Sequence, residues 1–199
     1  MAIMEFFGCT FIAFGPPVAL LLFTVARDPL RIIVLTASAF FWLIALLLSS
    51  ILWFAVVPLR QQLAFGVVFS VLFQELLRLA FYALLRKADA GLQKVTQGQD
   101  EQQLRVVKNK HLMAYVAGLG FGLMGGAFSL VNILADMTGP GTIGLHGESQ
   151  DFFLVSAFLT LCFVFLHTFW GIIFFAGLDR KAYWQAAIVV ASHMLVSCL

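Results

Sequence analysis

The chain has very little charge. Only 11% of its 199 residues are Asp, Glu, Lys or Arg, the formal net charge is +2, and 62% of residues are hydrophobic, with a mean hydropathy of +0.99. A soluble domain is nearer half apolar and about a quarter charged, so that class is excluded. So small a positive balance also leaves a nucleic-acid partner without an electrostatic footprint. Cysteine is scarce. Cys9, Cys162 and Cys198 lie in apolar runs at no spacing that suits a metal site or a disulfide framework, and they read as reduced packing residues. HExxH and GxSxG are missing, and every Asp falls at the end of an apolar run or between runs, so paired acids for aspartyl chemistry at depth are missing too. No Asn-x-Ser/Thr sequon occurs. The N-terminus lacks a basic n-region and a small-residue cleavage site, so its first apolar run is expected to be a retained span.

What the chain does have is a series of long apolar runs. The expected fold class is an all-α membrane protein, a polytopic helical bundle forming a single membrane domain over 1–199. Its six predicted transmembrane helices cover 3–26, 32–57, 63–85, 111–135, 151–178 and 182–199. Gly15-Pro16-Pro17 removes two consecutive N–H donors inside the first span and predicts a kink or break there. Arg86 to Lys110, rich in Gln and Lys, predicts a mobile polar loop, and Gly139-Pro140-Gly141 opens a turn-rich connector. The last run, 18 residues to Leu199, rises ~27 Å against a hydrocarbon core of ~30 Å, so the chain is expected to stop on reaching the far side. Ten basic residues follow spans 1, 3 and 5: Arg27, Arg31, Arg86, Lys87, Lys94, Arg105, Lys108, Lys110, Arg180 and Lys181. Only Arg60 lies on the other side, so those three connectors are expected in the cytosol and the N-terminus on the lumenal or extracellular side.

Two features within the runs point to chemistry or assembly. Gly118, Gly122 and Gly126 recur every fourth residue of span 4, giving two GxxxG steps in register and one smooth helix face. In lipid, burial of apolar side chains supplies little drive for association, and such a face permits the close backbone approach that replaces it. Gly120 and Gly125 are expected to widen the face, with Ser129 and Asn132 extending it by hydrogen-bonding groups. The second feature is a set of polar residues at depth. Glu75, His167 and His193 each lie ten or eleven residues from the basic end of their spans, which places all three ~15–17 Å from that boundary. Arg78, three residues after Glu75, can pair with it. This cluster could be a proton or ion relay, a metal site, part of a protease, or a structural network that fixes how spans 3, 5 and 6 pack.

Longer ordered stretches carry a resemblance. Phe6-Phe7-Gly8-Cys9-Thr10-Phe11-Ile12-Ala13-Phe14-Gly15-Pro16, Asp28-Pro29-Leu30-Arg31, Ala39-Phe40-Phe41-Trp42-Leu43, Gln74-Glu75 with Arg78, and Ala114-Tyr115-Val116 before the glycines form its first part. Asn132-Ile-Leu-Ala-Asp136, Gly139-Pro140-Gly141-Thr142, His146-Gly147, Leu166-His167-Thr168-Phe169-Trp170-Gly171 and Ser192-His193 complete it. Together they resemble the anterior-pharynx-defective (Aph) family, the scaffold subunit of γ-secretase. The resemblance implies a non-catalytic subunit, without cofactor, that assembles with nicastrin, presenilin and the presenilin enhancer subunit in the lipid bilayer. The assembled protease cleaves substrates such as Notch and amyloid precursor protein within the membrane. It also implies residence in endoplasmic reticulum, Golgi and plasma or endosomal membranes. The family's tandem GxxxG maps onto Gly118, Gly122 and Gly126, and its intramembrane histidines onto His167 and His193. Family members have seven spans and a cytosolic C-terminus, so these six resemble a truncated or shorter form. The reading that competes, from the residues alone, is a small proton-coupled transporter using Glu75, His167 and His193.

Overall fold

The computed structural model describes residues 2–56, 63–95, 109–138 and 151–198, and among them every regular element is helical. Helix α1 (Ala2–Leu20) runs into a π-helical turn (Leu21–Val25), followed by α2 (Pro29–Ala55), α3 (Leu63–Val95), α4 (Lys110–Thr138), α5 (Phe152–Asp179) and α6 (Tyr183–Cys198). Met4–Val25 and the next four helices are long and apolar enough to cross a membrane, whereas α6, at 16 residues, rises only ~24 Å.

The expected break at Gly15-Pro16-Pro17 does not occur: α1 passes through both prolines as a continuous helix. Proline's fixed φ is itself helical, and what it removes is the amide that would bond the carbonyl four residues back. The register loosens one turn later instead. Ala26 N donates to Leu21 O, five residues back, at 2.9 Å. Thr24 Oγ1 donates to Leu20 O at 2.6 Å, and Arg31 Nη1 reaches back from α2 to the Thr24 carbonyl at 2.5 Å. Asp28 caps α2, its Oδ1 accepting from Leu30 N at 2.9 Å with Pro29 in the first turn.

A second correction concerns the long polar stretch. Helix α3 continues to Val95, ten residues beyond the expected end at Leu85. Arg86 to Val95 is dense in Ala, Leu, Lys, Arg and Gln, which extend a helix at little entropic cost, and Gly91 alone opposes it. The rest of that stretch (96–108), the turn around Pro58 (57–62) and the Gly-Pro-Gly connector (139–150) lie outside the described residues.

Helix α4 is central. Half of its most apolar window is buried inside the bundle, against 17% to 28% for the other four long helices. It packs on α1, α2 and α5; α3 bridges α2 to α6, and α5 lies against α1, α4 and α6. Toward the basic end the core is Phe81, Ala114, Ala117, Trp170, Phe174, Phe175 and Val189. Toward the other end it is Cys9, Ala13, Leu130 and Ala157. Between them Val25, Val116, Leu119 and Val164 join the π-turn to α4 and α5.

The α5–α6 connection is a helix C-cap. Lys181 N donates to Leu178 O at 3.1 Å and Ala182 N to Gly177 O at 2.8 Å, the paired bonds of a Schellman motif. That motif needs a left-handed residue, which here is Lys181 at φ 59°. A side chain there is strained where glycine would not be. Lys181→Gly is therefore expected to raise stability by about 1 kcal/mol, read as a higher thermal midpoint of the purified protein in mild detergent.

Candidate functional site

The glycine face of α4 is filled by the chain's own α5. A Cβ built on Gly118 would lie 2.6 Å from the Thr168 carbonyl oxygen and 2.9 Å from Thr168 Cα. One on Gly122 would overlap the Val164 carbonyl oxygen and lie 3.1 Å from Val164 Cα. On Gly126 it would sit 2.7 Å from Val164 Cγ2. Two helices are thus in backbone contact at Gly118 and Gly122, one turn apart, at a distance that no side-chain-bearing residue permits, and Gly126 adds contact with side chains. The approach is reciprocal, since a Cβ on Gly171 of α5 would lie 2.7 Å from Gly118 Cα. Sequence reading did not single out Gly171. Its signal was present in the buried series Ala157, Thr160, Val164, Thr168 and Gly171, spaced at three and four along one helix face.

Gly120 and Gly125 do not widen this face; they point to α2. A Cβ on Gly120 would overlap Ser38 Oγ and the Leu35 carbonyl oxygen, whereas one on Gly125 would reach only ordinary contact with Trp42, 3.4 Å from its Nε1. The same Trp42 donates from Nε1 to Gln74 Oε1 at 3.2 Å, fastening α2 to α3. Ser129 bonds back to Gly126 O at 2.9 Å and touches Thr160 Oγ1 at 3.5 Å, while Asn132 lies on an exposed part of α4.

The four polar residues expected at depth meet. Arg78 Nη2 lies 3.4 Å from Glu75 Oε1 and donates to His167 Nδ1 at 3.0 Å. His193 Nδ1 donates to Glu75 Oε1 at 2.7 Å, and the two imidazole centroids are 4.9 Å apart, nearly perpendicular. All four are sealed: Glu75 is 4% exposed, Arg78 2%, His167 5% and His193 2%. The bonds fix the tautomers. Guanidinium can only donate, so His167 Nδ1 is the acceptor and its proton is on Nε2; carboxylate can only accept, so His193 carries its proton on Nδ1. The Glu75 carboxyl and the Arg78 guanidinium thus lie between two imidazoles, and Trp170 covers His193 at 4.4 Å between centroids. Arg78 also lies over the Phe121 ring at 5.2 Å, which partly offsets two guanidinium nitrogens (Nε and Nη1) that have no hydrogen-bond partner.

This geometry suits packing better than transport. The space bounded by Arg78, Phe81, Gly118, Phe121, Gly171 and Phe175 leaves no room for a water molecule, and a relay needs a connected file of waters or titratable groups. Nor does it suit a cation, because the Arg78 charge stands inside the same cluster and occupies a His167 lone pair. A third tie, which sequence reading missed, closes the basic end. Tyr82 OH and Arg86 Nε donate to Asp179 Oδ1 at 2.8 and 2.9 Å, and Arg86 Nη2 donates to Oδ2 at 2.5 Å. This bidentate pair locks α3 to the last turn of α5.

Fold and site together define a polytopic helical membrane protein built around one backbone-on-backbone helix pair and one sealed ionic network. The profile of a family described as Aph-1 protein matches residues 4–199. A protein named gamma-secretase subunit Aph-1 from Drosophila melanogaster is 55% identical over 199 residues, covering 100% of this chain and 81% of that protein. Gamma-secretase subunit Aph-1b from Danio rerio is 53% identical over 208 residues, covering 100% of this chain and 79% of its own. Gamma-secretase subunit APH-1B from Homo sapiens is 49% identical over 206 residues, with 99% and 78% covered. The chain belongs to the Aph-1 family.

Two outcomes test the packing roles. Gly122→Ala is expected to cost about 1–3 kcal/mol, because backbone must move. Gly125→Ala, at ordinary contact distance, is expected to stay within about 0.5 kcal/mol; thermal midpoints of the two purified variants separate them. For the network, Glu75→Leu alone leaves Arg78 buried without its anion and is expected to cost about 3–5 kcal/mol. Adding Arg78→Met to it should recover part of the loss, so equal or greater damage in the double variant would show that the pair is not what holds the helices.

Proposed function

We propose that this chain is a non-catalytic scaffold subunit of the γ-secretase intramembrane protease, assembling with presenilin, nicastrin and the presenilin enhancer subunit. The observation that carries this reading is likeness along the whole described bundle to proteins named gamma-secretase subunits, at about half identity. The geometry supports it from a second direction. Polar groups that could have done chemistry at depth are bonded to one another, and Gly118, Gly122 and Gly126 are occupied within the chain. What remains for partners is the outer surface of a rigid bundle. In this reading the chain enters the complex already packed, with its basic end in the cytosol and its N-terminus in the lumen. It resides in the endoplasmic reticulum, Golgi and plasma or endosomal membranes, and supports cleavage of Notch-type and amyloid-precursor-type substrates without contributing a catalytic residue.

Mass spectrometry of a mild-detergent pull-down tests the assignment. Presenilin, nicastrin and the presenilin enhancer subunit should be recovered together; recovery of the folded chain without any of them overturns it. Gly122→Leu, and His167→Ala combined with His193→Ala, should each lower that recovery several-fold by loosening α4, α5 and α6. Assembly undiminished in both would remove the link between internal packing and scaffolding.

A further inference from the structure

A groove of about 340 Å³ opens between the first turn of α4, the last turns of α5 and the start of α6, at the basic end of the bundle. Its two halves differ in chemistry. The half toward mid-membrane is formed by Ile172, Ile173, Ala176 and Ile188. The half toward the basic end is formed by His111, Arg180, Trp184 and Gln185. Among the described residues no carboxylate lines it. Asp179, the nearest in sequence, is taken by Arg86 and Tyr82 of α3, so it does not neutralise Arg180. Arg180 and His111 are both exposed, and Lys110 and Lys181, next to them in the chain, are exposed as well. Trp184 is 63% exposed, standing at the rim with its ring available to an interfacial ligand.

We propose that this groove binds an anionic glycerophospholipid of the leaflet that meets the basic end. The fit is one of charge and polarity along a single axis. An acyl chain lies against the isoleucines, where a water-filled groove would leave apolar surface wet. The phosphate meets the Arg180 guanidinium, a planar donor pair matched to phosphate oxygens. His111 and Gln185 supply further donors, and Trp184 sits at the glycerol level, where indole is favoured. Basic pockets between transmembrane helices hold anionic headgroups for this reason. The site is separate from the sealed Glu75 network.

The test uses the full chain, extracted in mild detergent with whatever subunits accompany it, delipidated and offered phosphatidylserine or phosphatidylcholine before native mass spectrometry. Phosphatidylserine should be retained at least fivefold over phosphatidylcholine. That preference should fall at least fivefold in Arg180→Gln and in Ile173→Trp, which fills the apolar half and leaves every charge in place. Arg27→Gln, at the same end but outside the groove, should keep it. O-phosphoserine, the soluble headgroup, should not displace the lipid. Equal retention of both lipids, unchanged retention in Ile173→Trp, or displacement by the soluble headgroup would each overturn the proposal. If Arg180→Gln does not fold, Ile173→Trp decides it alone.

Discussion

The bundle depends on how close α4 and α5 come. Between two apolar helices in lipid there is no water to expel, so association rests on dispersion contacts and hydrogen bonds, and both fall off steeply with distance. Gly118 and Gly122 against the Thr168 and Val164 backbones, with Gly171 returning the contact, bring main chain to main chain. Once that distance is set, the azimuth of α5 is set too, because only its small and branched face fits the groove. His167 is on that helix one residue before Thr168, so the same docking turns its imidazole into the bundle and toward Arg78. The α5–α6 turn is only a few residues long and closed by its own amides. It leaves α6 little choice but to return alongside, which carries His193 to Glu75.

The ionic network follows from that arrangement and reinforces it. A lone carboxylate or guanidinium at this depth would be costly, whereas Glu75 and Arg78 on adjacent turns of α3 neutralise each other whatever the rest of the chain does. Their pairing alone would leave strong donors and acceptors unused. His167 from α5 accepts from Arg78 Nη2 and His193 from α6 donates to Glu75 Oε1, leaving Arg78 Nε and Nη1 and Glu75 Oε2 without a partner, and this complementarity selects a single register of three helices. Interhelical hydrogen bonds in membranes are each worth only about 0.6–2 kcal/mol. The network therefore chooses among packings that the glycine contact has already made tight. Arg86 with Asp179 repeats the device at the basic end, again between α3 and α5.

These features differ in how legible they were. The glycine period and the common depth of Glu75, His167 and His193 could be read directly, since both follow from helix rise and pitch. The partner of the glycine face could not, because a smooth face says that something lies against it without saying what. Gly171 was hidden by its neighbours: Trp170 and the phenylalanines around it read as an aromatic span, and the small-residue stripe shows only once α5 is wound. Pro16 and Pro17 misled through their usual role, as proline's φ is itself helical and α1 runs on through both. Arg86 and Asp179 are 93 residues apart, and each read as connector charge. Pairing across that separation is a property of the assembled bundle, not of either segment.

The division of side chains between inside and outside bears on what kind of protein this is. Glycine, alanine, threonine, histidine and the ion pair lie within, while Phe7, Phe11, Phe23, Phe40, Phe54, Phe158 and Phe169 are each more than half exposed on the isolated chain. In water that would be an inverted protein. In a bilayer it is an economical one, because lipid solvates large apolar groups much as a core does, and small or hydrogen-bonding groups gain most from meeting each other, although Phe81, Trp170, Phe174 and Phe175 also pack inside. Here Glu75, Arg78, His167 and His193 are bonded together and closed in, so altering the polar interior would act on partners only by changing the shape of the outer surface. That dependence of surface on interior is what a scaffold requires: its contacts are made by side chains outside, but their positions are held by the groups inside.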